Sequence, residues 1–147
     1  MKKKVIVMDI DGVVFDTSAI HSQIHELKLK GDDMWNYFHS RCNDENNKLI
    51  DETLEFALHI HKRVPIILST ARNEKCRKST ERRLLLEQFP YDSLYMRDFN
   101  DERPSWEVKQ DHLKEISEKY KILAFIDDEL RNCEMARDMG ILSLRKV

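Results

Sequence analysis

The most constraining feature of this chain is a short apolar run that ends in carboxylates. Val5 to Ile10 is rich in β-branched residues and lacks polar alternation, the pattern of a strand buried on both faces. Asp9 and Asp11 stand two residues apart at its carboxyl end, and Gly12 follows them. In open α/β sheets that end of a strand borders the crevice where ligands bind. Two negative charges there cost stability unless a cation or a proton offsets them, and Gly12 lets the backbone turn sharply. Taken alone, Asp-x-Asp-Gly fits a capped turn equally well. An EF-hand loop starts in the same way, but it needs polar residues where Val13 and Val14 stand and a distant Glu.

The remaining pattern alternates between strands and helices. Further apolar runs occur at 62–68, 94–96, 122–126 and 141–144. Helical patterns occupy 73–88, with Asn73 as N-cap, 104–119, with Pro104 near the first turn, and 129–139, stopped by Gly140. This alternation predicts an α/β fold, a Rossmann-like parallel sheet of about five strands with helices on both faces. From 18 to 62 there is no convincing strand. The part nearest residue 62 reads as the crossover helix into the second strand, and about 18–48 reads as a small helical cap insertion. Trp35, Tyr37 and Phe38 lie in it and read best as the apolar face of a short helix, the alternative being a lid or a stacking surface for a base. Without repeats, linkers or low-complexity tracts, the expectation is a single domain spanning 1–147.

Composition narrows the classes. The chain has 147 residues, of which 41% are apolar and 35% charged, with a formal net charge of -2. This suits a globular protein and gives no general reason to coat a nucleic-acid backbone. No apolar run is long enough to cross a bilayer, so no membrane association is expected. Asp9 and Asp11 interrupt the stretch behind the basic start and argue against a signal peptide. Cys42, Cys76 and Cys133 form neither a disulfide framework nor a zinc pattern and fit reduced thiols in a cytoplasmic setting. His59 and His61 point to different faces of a helix and make a poor metal pair.

Three further positions join the first pair of carboxylates. Ser69-Thr70-Ala71-Arg72 follows the second apolar run, Lys109 lies early in the 104–119 helix, and Asp127-Asp128 follows the fourth run. Each has an ordinary reading: Thr70 as a helix cap, Lys109 as a solvated side chain, Asp127-Asp128 as a cap. In this order they place carboxylates, a hydroxyl and an ammonium at one edge of one sheet.

The order Asp9-x-Asp11-Gly12, strand-Thr70, Lys109, strand-Asp127-Asp128 resembles the four motifs of the haloacid dehalogenase superfamily over about residues 4–145. The resemblance implies a nucleophilic Asp9 that forms an aspartyl-phosphate and an Asp11 that acts as general acid and base. It also implies a Thr70 that donates to phosphoryl oxygens and a Lys109 that offsets charge. Mg2+ would be held by the Asp9 side chain, the Asp11 backbone carbonyl and a carboxylate from Asp127-Asp128, with Asp128 the better match to the direct ligand. The second Asp favours phosphate-ester chemistry, since dehalogenase members lack it.

A closer resemblance is to the 3′-phosphatase domain of phage polynucleotide kinases. It is carried by Ser69-Thr70-Ala71-Arg72, Tyr95-Met96-Arg97, Asp101-Glu102-Arg103-Pro104 and Glu107-Val108-Lys109. It implies that Arg72, Arg97 and Arg103 hold the terminal phosphate and neighbouring backbone, a task that suits a planar fork of donors. The usual Gly is Ala71, the acidic residue four positions before the lysine is Ser105, and no kinase phosphate-binding loop is present. The implied substrate is a phosphorylated nucleic-acid end, in a repair role. The alternatives are free nucleotides or other small phosphomonoesters and, in another class, a non-catalytic phosphate-binding module.

Overall fold

The computed structural model describes all residues from Met1 to Val147. Five strands form one wholly parallel sheet: β1 (Lys3–Met8), β2 (Ile66–Asn73), β3 (Ser93–Arg97), β4 (Tyr120–Asp127) and β5 (Ser143–Arg145), in the order β3-β2-β1-β4-β5. The helices are α1 (Ser18–Glu26), α2 (Gly31–Arg41), α3 (Asp51–Ile60), α4 (Arg77–Leu86), α5 (Ser105–Lys119) and α6 (Leu130–Asp138). The expected α/β architecture is the observed one.

The central strand shows why. Alternate side chains of β1 enter two separate cores. Ile6 and Met8 join Phe15, Phe38, Ala57, Ile66, Leu68 and Leu84 on one side. Val5 and Val7 join Ile67, Leu113, Ile116, Phe125 and Met135 on the other. A strand covered on both faces has no polar side to show, which is why its sequence is continuously apolar.

Most elements shift by a residue or two, with β1 ending at Met8 rather than Ile10, and the second strand and the helix after it differ most from the sequence reading. The second strand begins at Ile66 and runs through the polar Ser69–Asn73, because partners elsewhere satisfy those side chains. A 3-10 turn at Glu74–Cys76 separates it from α4, and Asn73 caps that turn by accepting from the Lys75 N–H. Two arginines of α4 find partners within the chain. Arg77 pairs with Glu74 and Glu81, and the buried Arg83 donates to the carbonyls of Asp44 and Asn47.

One buried polar pair makes a stability prediction. His112 Nε2 lies 3.1 Å from the Met96 carbonyl, which can only accept, so that nitrogen carries the proton. Nδ1 then accepts from Ser69 Oγ at 2.8 Å. Burial, with a smaller push from Lys109, lowers the His112 pKa to about 4. The unfolded chain protonates this ring below about pH 6.5 while the fold keeps it neutral. Its contribution is therefore complete above that pH and is lost as pH falls toward 4, on the order of 3 kcal/mol in all. Urea unfolding between pH 7 and pH 4 should show a shallower decline for His112→Gln than for the parent. Identical slopes would remove His112 from the account.

Candidate active site

The carboxyl ends of β1, β2 and β4 converge on one cavity of about 200 Å³. The Asp9 N–H donates to the Ile126 carbonyl at 2.9 Å, so β1 and β4 remain paired up to the site. Beyond it the chain wraps tightly, with Val13, Val14 and Phe15 all donating to the Ile10 carbonyl. Gly12 sits at φ +83°, and a Cβ there would overlap the Asp128 carboxylate. Only glycine meets both demands.

Lys109 is the electrostatic centre. It is 2% exposed, and its Nζ lies 2.8 Å from Asp9 Oδ1 and 2.6 Å from Asp127 Oδ2. Burial opposes its charge, but the two carboxylates outweigh burial and raise its pKa. Asp9, Asp127 and Asp128 offer carboxylate oxygens within 4.8 Å of one another. Burial, followed by repulsion from Asp127, pushes the Asp9 carboxyl well above its ordinary range. Burial also raises Asp128.

The two acids after β4 are not equivalent. Asp127 is fully buried, and it accepts from Lys109, from Asn132 Nδ2 at 3.2 Å and from the Glu129 N–H at 2.9 Å. Asp128 lines the cavity instead. Thr70 is fully buried and does not line that cavity, so the structure does not bring its hydroxyl to a phosphoryl group there; its Oγ1 accepts from the Arg72 N–H.

The three arginines do not converge. Arg72 is buried and spends its whole fork within the chain. Nε and Nη2 grip the Asp11 carboxylate at 3.0 and 2.7 Å, Nη1 donates to Asn43 Oδ1 and Thr80 Oγ1, and Nη2 also reaches the Cys42 carbonyl. No donor is left for a ligand, so Arg72 orients Asp11. Arg97 is also buried. It holds the carbonyls of Ala71, Asp101 and Arg103, and its Nη2 has no partner. It lines a second, polar cavity with Lys75 and Asn73. Arg103 lies further out, exposed and paired with Asp101 and Asp111.

Two participants are absent from the sequence reading. Asn132 holds Asp127 from the first turn of α6, and its place five residues after Asp127 is the only local sign of that role. Asn43 couples the insertion to Arg72, and nothing in its neighbourhood marks it.

A parallel sheet of this order, with acids after β1 and β4 and a lysine from α5 between them, is the arrangement of a haloacid dehalogenase-type phosphatase domain. Residues 3–145 match the family described as the polynucleotide kinase PNKP phosphatase domain, and the chain belongs to that family. Among solved structures it is similar to a chain of the Pnkp1/Rnl/Hen1 complex, with TM-score 0.78 and 26% identity over 98% of this chain and 46% of that one. It thus spans less than half the length of that relative. The fold is shared with the class C acid phosphatase of Bacillus anthracis with tungstate bound (TM-score 0.70, 16% identity, 99% of this chain and 68% of that one). It is also shared with a magnesium- and phosphate-bound HAD family enzyme of Bacteroides thetaiotaomicron (TM-score 0.55, 12% identity, 99% of this chain and 94% of that one). No curated protein sequence matches the chain. No helix is long and apolar enough to cross a membrane.

Proposed function

We propose that this chain is a Mg2+-dependent phosphomonoester hydrolase that removes the 3′-phosphate from polynucleotide ends through an aspartyl-phosphate on Asp9. We also propose that residues 1–147 act as one domain, with the insertion at about 18–48. The observation that carries the chemistry is the Lys109 bridge, whose Nζ lies 2.8 Å from Asp9 Oδ1 and 2.6 Å from Asp127 Oδ2. The resemblance of the whole chain to part of a protein in an RNA repair complex supports the polynucleotide substrate.

In the first step an Asp9 oxygen forms a bond to phosphorus as the ester P–O bond breaks, and Asp11 gives its proton to the departing alkoxide. In the second, Asp11 takes a proton from water, whose oxygen attacks phosphorus and frees the Asp9 carboxylate. The Arg72 fork fixes Asp11 for both transfers, and Thr70 Oγ1, expected from the resemblance to donate to phosphoryl oxygens, instead holds the Arg72 backbone N–H. An all-oxygen set with only one ammonium among three carboxylates suits a hard divalent cation. The Asp9 and Asp128 carboxylates and the Asp11 carbonyl would hold Mg2+, which offsets charge on the transferring phosphoryl group when bound. Asp127 serves as the anchor for Lys109.

The cavity is small and partly covered by α1 and α2, which favours a second reading, a phosphatase of free nucleotides. A side-by-side assay separates the two. With Mg2+, a 3′-phosphorylated oligonucleotide should exceed both a 5′-phosphorylated one and a free mononucleotide in kcat/KM by roughly tenfold or more, and excess EDTA should silence all three. Preference for the mononucleotide would overturn the polymer reading.

A further inference from the structure

The cavity above Asp9 has an unequal lining. Its floor is charged, with Asp9, Asp11, Lys109 and Asp128, whereas the wall supplied by the insertion is mostly apolar and aromatic, with His21 its one polar member. Ile24 of α1 and Met34, Trp35 and Phe38 of α2 form that wall. A phosphoryl group needs none of it, because charge and donors bind phosphate.

Nor is the wall simply the inner face of a small helix. Phe38 fills that role: it is 5% exposed, stacks on His21 with ring centroids 5.5 Å apart, and sits in the core beside Ile20. Trp35, one turn away, is 38% exposed. Its ring is nonetheless held in place by His39 at 5.7 Å, by the edge of Phe38 at 6.3 Å and by the Arg97 guanidinium at 5.3 Å. His39 and Arg97 belong to the neighbouring polar cavity, and Trp35 lines both. An exposed tryptophan braced on three sides presents a preorganised surface at little entropic cost.

We infer that the insertion carries a base-binding subsite in which the nucleobase of the nucleoside bearing the scissile phosphate packs against Ile24, Met34 and Trp35. This inference rests on the phosphatase reading and names what recognises the leaving group. A planar, weakly polar base matches an aromatic and thioether wall. A sugar or glycerol group would leave that wall wet. The surface is sequence-tolerant, since every base has an apolar face. Trp35 is thus a specificity-determining residue, set apart from the groups that transfer the phosphoryl.

The test compares 3′-phosphorylated oligonucleotides that end in an ordinary nucleotide or in an abasic one. The parent protein should lose roughly tenfold or more in kcat/KM on the abasic end, mostly through KM. Trp35→Ala should reduce the base-bearing substrate by a similar factor and leave the abasic one unchanged, and Trp35→Phe should keep most of the preference. Equal rates on the two ends for the parent, or equal losses for Trp35→Ala, would overturn the subsite, and the parent comparison needs no variant to fold. Calorimetric Kd values on Asp9→Asn give the same comparison without turnover, so a failed catalytic reading and a failed base subsite are visible separately.

Discussion

Asp9→Asn should abolish turnover on every substrate, by roughly four orders of magnitude or more in kcat, while leaving the fold intact. The amide has the shape of the carboxylate and keeps an oxygen for Lys109, yet it is no nucleophile toward phosphorus. Stability should not fall. The folded environment already resists ionisation of this group, through burial and the nearby Asp127, so a neutral replacement relieves repulsion. Kinetics on an oligonucleotide and an aryl phosphate, with a thermal melt alongside, check both halves. Activity within tenfold of the parent would exclude an aspartyl-phosphate at this position.

Lys109→Met should damage both stability and activity. It leaves Asp9 and Asp127 buried without their shared ammonium, the situation in which breaking an ion pair costs about 3–5 kcal/mol. For a chain of this size that corresponds to a fall of roughly 10 °C in Tm, measured with EDTA present. Turnover should fall by roughly a hundredfold or more, because a preorganised positive group faces the developing charge. Adding Asp127→Asn to Lys109→Met should recover much of the melting temperature but little of the rate. If the double variant melts no higher than the single one, the two carboxylates are not what Lys109 holds together.

The central strand and its carboxylates were legible because their signal is local. A continuous apolar run with acids at its end permits few other readings, and the short interval to Gly12 confirms the turn. Lys109, Thr70 and Asp127-Asp128 were legible as an ordered set, each following or facing a recognisable strand. The end of β2 was not. Ser69–Asn73 looks like a loop because its polar side chains find their partners far along the chain: Ser69 in His112, Arg72 in Asp11, and Asn73 in the Asp98 and Phe99 carbonyls. The surroundings of Arg72 were hidden for the same reason. An arginine after a strand can meet a phosphate or a carboxylate, and only the fold shows which. The aromatic group at 35–38 reads as helix packing from its spacing. That holds for Phe38, whereas Trp35, one turn earlier, stays partly exposed and lines the two cavities.

The insertion is fastened to the sheet at several points. Arg72 holds Asn43 and the Cys42 carbonyl, Arg83 holds the loop that follows, the Asn43 side chain reaches Ser79, and the Asn73 N–H donates to His39. Swinging this roof away would break these hydrogen bonds together. On the polynucleotide reading proposed above, strands would enter through a gap that already stands open, and the departing alcohol would leave by the same path. Thickening the medium with sucrose would therefore slow the arrival of long polymers, while conversion of those already seated would keep its own pace.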